Sequence, residues 1–125
     1  MAQKDYENTL LDGWEDVFKK SQLTLWLLLA LKDEKKHTAA ISSFIEKNTQ
    51  GTITADTQSM YRALRRLSDG DVVSYIQEPS NKGPDRKIYM LTDLGGRLLQ
   101  KFLVRNIINV LYQPEVQSLI RKEIT

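Results

Sequence analysis

The chain has 125 residues, 41% hydrophobic and 27% charged, which suits one compact domain and is too apolar for a disordered segment. Cysteine is absent and histidine occurs once, which excludes a disulfide framework and a cysteine nucleophile and leaves no donor set for a transition metal. A net charge of +2 does not by itself announce a nucleic-acid binder, so the placement of the cations carries more information than their sum.

Near the N-terminus, Leu10, Leu11, Trp14, Val17 and Phe18 recur at three- and four-residue spacing and predict an amphipathic helix over residues 6–20. Gly13 weakens it by about 1 kcal/mol relative to alanine. From Ser21 to Leu31 apolar residues cover every side, so this helix should run through the centre of the core. Its apolar run is far shorter than the roughly 20 residues a membrane span needs. Acidic residues crowd the positions before it, unlike a secretory leader. A cytoplasmic protein with no membrane partner is expected.

Lys32-Asp33-Glu34-Lys35-Lys36 reads as a solvated connection. A helix over residues 38–47 should bury Ala40, Ile41, Phe44 and Ile45, and the segment from Asn48 to Gly51 should end it. The next helix is expected to begin near Thr54, with Asp56 in its first turn, and to run to Ser68 before Asp69-Gly70-Asp71. Val72 to Gln77 is β-branched and aromatic, Pro79 to Pro84 has turn chemistry, and Lys87 to Leu91 is a returning strand. A last helix should start at Thr92 and continue to Tyr112, with Pro114 breaking or restarting it. The expected fold class is mainly α with a small β-hairpin.

Spacing at 100° per residue divides residues 57–68 into two faces. Met60, Ala63, Leu64 and Leu67 share the inner one. Gln58, Arg62 and Arg65 lie opposite, flanked by Arg66 and Tyr61, and the span holds three arginines and no acid. Arginine and glutamine on an exposed helix suit a major groove, where they reach base edges and phosphates. A solvated helix face would carry similar residues. Two short helices ahead of this one match a helix-turn-helix, and a hairpin carrying Lys82, Arg86 and Lys87 matches its winged variant. Thr57 and Ser59, in the first turn of the same helix, complete the expected DNA-binding set.

Three stretches resemble the PadR family of bacterial transcriptional regulators. They are Lys19-Lys20-Ser21-Gln22-Leu23 through Leu31, Met60-Tyr61-Arg62-Ala63-Leu64-Arg65-Arg66-Leu67, and Gly83-Pro84-Asp85-Arg86-Lys87-Ile88-Tyr89-Met90-Leu91-Thr92. The resemblance implies a winged helix-turn-helix repressor that binds double-stranded DNA as a homodimer. It would place Tyr61 on backbone phosphate, Gln58, Arg62 and Arg65 in the groove, and Arg86 and Lys87 in the wing. It also implies a compact member with a single C-terminal dimerisation helix. The chain departs from the family pattern in two places. His37 is followed by Thr38-Ala39 where glycine is usual, and Asp56-Thr57-Gln58 replaces a serine-proline-glycine type start. The operator of a typical member therefore does not carry over.

The expected organisation is an N-terminal helical extension over residues 1–20, a winged domain over 21–91 and a dimerisation helix over 92–125. Leu94, Leu98, Leu99, Phe102, Leu103, Val104, Ile107, Ile108, Val110 and Leu111 spread around most of the last helix, more apolar surface than one core needs. A second subunit should cover Leu99, Phe102, Leu103, Ile107, Val110 and Leu111, with Trp14 and Phe18 helping to embrace it. A helix buried within the monomer is the alternative. The family resemblance also implies a small aromatic effector at the dimer centre, in a space that Trp14, Trp26 and Phe102 would line, as opposed to both tryptophans serving the core.

No catalytic constellation is present. His37 should cap a helix or decorate the surface, Ser42-Ser43 lacks a nucleophile context, and Gly95-Gly96 is not a phosphate-binding fingerprint. No enzyme, cofactor or metal is expected. The alternative to a regulator is a winged-helix adaptor that uses the same face for a protein.

Overall fold

A computed structural model describes residues 3–124; Met1, Ala2 and Thr125 of the two expected terminal segments lie outside the described residues. The elements run α1 (Gln3–Lys20), α2 (Leu23–Asp33), α3 (Thr38–Asn48), α4 (Thr57–Asp69), β1 (Val73–Glu78), β2 (Arg86–Leu91) and α5 (Asp93–Leu103). A π-helical turn (Val104–Ile108), the short α6 (Asn109–Leu111) and α7 (Pro114–Ile124) close the chain. The protein is mainly helical with one two-stranded antiparallel sheet, the architecture of a winged helix-turn-helix.

α2 is the central rod because its sequence offers no polar face. Leu27, Leu28, Ala30 and Leu31 are buried, and the helix touches α3, α5 and β2. α3 contributes Ile41 and Ile45, with Phe44 packed at the edge of the core. α4 adds Met60, Ala63, Leu64 and Leu67, the four residues its periodicity assigns to the inner face. Burying a side chain of this kind stabilises by roughly 1.5–3 kcal/mol, so these inward faces fix how the helices sit.

α4 starts later than expected. Its N-cap is Asp56, not Thr54, and the Asp56 carboxylate accepts the Ser59 backbone N–H at 2.8 Å and the Ser59 hydroxyl at 2.9 Å. Residues 53–55 before it are not helical, with Ile53 buried, and the Asp56 backbone is extended at φ -68° and ψ 160°. Thr49 fastens this loop to α3: its hydroxyl donates to Ile45 O at 2.7 Å and accepts from Ile53 N–H at 3.2 Å.

The hairpin pairs Val73 with Leu91, Tyr75 with Tyr89 and Glu78 with Arg86. Val73, Ile88 and Tyr89 are buried, whereas Arg86, Lys87 and the outer half of β1 face solvent, so the sheet is rooted in the core at one end. The expected solvated connection before α3 is corrected at one residue. Lys36 is only 8% exposed and forms an isolated antiparallel bridge with Tyr89.

At the root of the hairpin, the Thr92 hydroxyl caps α5 by accepting Gly95 N–H at 2.9 Å, and it lies 2.7 Å from Asp71 O and 2.9 Å from Val72 O. Gly95 is required by close approach. A Cβ there would run into the Val72 carbonyl oxygen and the Leu91 side chain. The expected single helix to Tyr112 is interrupted by the π-turn, and Pro114 restarts the chain as α7. No helix among the described residues is long and apolar enough to cross a membrane.

Candidate nucleic-acid interface

Burying the inner face of α4 turns its polar face outward. Thr57, Gln58, Tyr61, Arg62, Arg65 and Arg66 are exposed and Ser59 is half-buried, so the first helical turn and all three arginines are brought to one surface. The N-cap contributes to this surface as well as starting the helix. Arg62 Nη2 lies 3.4 Å from Ser59 Oγ, the same hydroxyl that Asp56 holds at 2.9 Å. The Ser59 N–H, then its hydroxyl, and the nearby Arg62 charge hold the Asp56 carboxyl below its ordinary value of 3.8. Asp56 therefore stays ionised and gives Arg62 a defined neighbour. Sequence reasoning placed Asp56 in the first turn and missed this role.

The wing carries the second group of cations. Lys82, Arg86 and Lys87 are exposed, and the turn between the strands passes through Gly83 at a φ of 154°, a conformation that suits glycine. Lys87 Nζ rests 4.4 Å from the centroid of the Tyr75 ring, and Tyr75 leans on Tyr89 at 5.6 Å between centroids. Burial raises the Tyr89 hydroxyl above its ordinary 10.0, with Tyr61 and Tyr75 adding to the shift. Tyr75 is a member of this surface that the sequence did not single out, because a tyrosine in a strand reads equally as core.

Between α4 and the wing lies a cleft of about 430 Å³, bounded by His37, Thr38 and Ala39 at the entrance to α3, by Tyr61, and by Arg86 and Lys87. His37 occupies the N-cap position of α3 without a side-chain capping bond, and its Nδ1 is buried with no hydrogen-bond partner in the chain. His37 thus stands at the helix entry where it was expected, at the N-cap position but without a capping bond from its side chain. The whole surface presents cations and hydrogen-bond donors on a helix and a hairpin side by side. That chemistry fits a polyanion with readable edges. No group of residues that could hold a metal ion exists among the described residues.

The residues expected to meet a second subunit divide in two. Trp14 (74% exposed), Phe18, Phe102 (44%), Val110 and Leu111 stand at the surface. Leu99 is 1% exposed and belongs to the core of its own domain, while Leu103 packs against that core and Ile107 is half-buried. Leu99 is thus corrected: packed between α5 and α2 it belongs to the core of its own domain, and only its edge lines the cleft between these helices. Trp26 packs against the core, whereas Trp14 touches none of it. An apolar cleft of about 200 Å³ between α2 and α5 is lined by Leu25, Leu28, Leu98 and Phe102, but by neither tryptophan.

Comparison with known proteins gives a consistent result. The family model described as "Transcriptional regulator PadR-like family" matches residues 27–101. A PadR-like transcription factor from Bacteroides fragilis is 26% identical, with a TM-score of 0.61 over 74% of this chain and 87% of that one. A PadR family transcriptional regulator from Eggerthella lenta shares the fold at a TM-score of 0.70, with 20% identity over 92% of this chain and 96% of that one. Bacillus subtilis PadR, solved in complex with operator DNA, shares the fold at 0.61 and 23% identity, over 67% of this chain and 48% of that one. No curated protein matches the chain.

Proposed function

Because the chain belongs to the PadR-like family of transcriptional regulators, whose members are regulators and not enzymes, we propose that it is a sequence-specific DNA-binding repressor. It acts in the cytoplasm as a homodimer on a pseudo-palindromic operator. The observation that carries this reading is the outer face of α4, where Gln58, Arg62 and Arg65 stand exposed beside a basic wing. Arg62 and Arg65 read base edges, and Tyr61, Arg66 and the wing cations Lys82, Arg86 and Lys87 hold backbone phosphates. Thr57 and Ser59 complete the DNA-facing surface from the first turn of α4.

Dimerisation is supported by surface that the monomer leaves uncovered. No residue of α1 is buried, and Phe102, Val110 and Leu111 are exposed along the C-terminal helices. A twofold axis through these faces would place two copies of α4 on half-sites about 10 base pairs apart. The small aromatic effector has no such support, because neither tryptophan lines the apolar cleft beside Phe102.

Selection of genomic fragments by the purified protein tests the proposal. Enrichment of a short inverted repeat is expected. Removing one wing cation, with Lys82→Ala or Lys87→Ala, should then lower the log–log salt slope of binding by about 0.9 for each phosphate no longer neutralised. If no DNA is enriched and the same surface captures a protein, the adaptor reading replaces this one.

A further inference from the structure

Lys36 has an environment that neither the family reading nor the DNA-binding surface explains. Its neighbours Asp33, Glu34 and Lys35 are exposed, yet Lys36 is nearly fully buried. Its ammonium donates to Ala30 O at 2.8 Å, to Asp33 Oδ2 at 2.9 Å and to Glu34 O at 3.3 Å. Three donors meet three acceptors, so the charge is fully satisfied. Ala30 lies in the last turn of α2 and its carbonyl also accepts the N–H of the C-cap Glu34 at 3.4 Å, so the ammonium sits at the helix C-terminus, where a cation is favoured. The ring of Phe44 in α3 lies 4.9 Å from the same nitrogen.

The backbone of this residue points the other way. Lys36 N–H donates to Tyr89 O at 3.0 Å and Tyr89 N–H donates to Lys36 O at 2.9 Å, a doubly bonded antiparallel pair. One residue is thereby fastened to α2 and α3 by its side chain and to β2 by its main chain. Tyr89 then reaches Lys87 through the Tyr75 ring.

We propose that Lys36 is the positioning residue of the wing, clamping β2 to the end of α2 and so setting where Arg86 and Lys87 stand relative to the outer face of α4. A one-residue bridge is weak alone, because nothing beside it shares the cost of ordering the loop. The buried ammonium supplies the missing restraint: its acceptors hold the loop to the end of α2, so Lys36 presents its N–H and C=O to Tyr89 in a fixed place. The functional half of the inference rests on the wing binding phosphate; the clamp itself does not.

Two variants test it. Lys36→Met keeps the length and apolar stem but removes the ammonium, and Asp33→Asn weakens the same set from an exposed position. In the free protein, Lys36→Met should speed amide exchange at Tyr89 about tenfold while Leu64 in α4 keeps its wild-type rate. Asp33→Asn should act in the same direction, by about threefold. With DNA, the salt slope of Lys36→Met should fall by about 0.9 for each phosphate the wing no longer neutralises, and preference for the operator over scrambled DNA should persist. Unchanged exchange at Tyr89 in either folded variant, or equal acceleration at Leu64, overturns the clamp. Faster exchange at Tyr89 with an unaltered salt slope overturns its role in DNA binding. A wild-type protein without salt-dependent DNA binding overturns the DNA reading itself, while the exchange rates still decide the clamp.

Discussion

α4 and α1 are both amphipathic helices, and the chain treats them in opposite ways. In α4 every inner residue is buried and the exposed face is cationic. In α1 no residue is buried, and Tyr6, Leu10, Leu11, Trp14, Val17 and Phe18 all stand in solvent. An apolar stripe that finds a core explains a fold, and one that finds none points outside the chain. The same contrast runs along the C-terminal rod. Gly95 and Leu99 are sealed against the winged domain, whereas Phe102, Ile108, Val110 and Leu111 are open. The molecule therefore presents a polar, cationic surface in one region and uncovered apolar surface in others.

The sealed side of this contrast is the easier to break. Gly95→Ala forces a methyl against the Val72 carbonyl at the root of the wing, and backbone cannot yield as a side chain can. Thermal or urea unfolding should show a loss of about 3 kcal/mol, at the high end for overpacking. A variant as stable as the wild type would mean that α5 does not approach the hairpin this closely. On the open side, Phe102→Glu should leave the fold intact and raise the dimer dissociation constant by about 2 kcal/mol, roughly thirtyfold. Sedimentation velocity across a concentration series measures this, and a wild-type protein that stays monomeric at micromolar concentration removes the dimer. Trp14→Ala should shift the same equilibrium in the same direction.

The smallest expected effect belongs to the cap of α4. The Asp56 pKa is lowered in the folded state by its bonds to Ser59, so its contribution is complete above the ordinary value of 3.8. That contribution is lost as the pH falls from 3.8 through the lowered value. Amide exchange over Gln58 and Ser59 should accelerate in that acid range, and Asp56→Asn should abolish the dependence. Fraying that sets in near neutral pH would assign the cap to a different group.

Local chemistry made the elements and the exposed polar face of α4 legible in the sequence. The two faces of α4 follow from 100° spacing alone, and Gly83-Pro84 marks the wing turn without help from the fold. What stayed hidden depends on packing between distant segments. Nothing in Lys32-Asp33-Glu34-Lys35-Lys36 separates the last lysine from its neighbours, because what sets it apart is a main-chain pairing with Tyr89, far along the chain, and the Phe44 ring beside its ammonium. Leu99 and Phe102 are alike in periodicity, and only the path of α5 over α2 sends one inward and leaves the other exposed. Thr54 and Asp56 are both good caps by type, and only the fold shows that Asp56 takes the bonds from Ser59.

The central claim is that the outer face of α4 reads sequence. Its most direct test compares the affinity of wild type and of Arg62→Ala/Arg65→Ala for the selected operator and for a scrambled duplex at fixed salt. Each arginine that reads a base should contribute about 1–3 kcal/mol of discrimination, so the double variant should lose roughly a hundredfold or more in the operator-to-scrambled ratio. An equal loss of affinity for both duplexes, with the ratio unchanged, would contradict the claim and leave these arginines as phosphate binders alone.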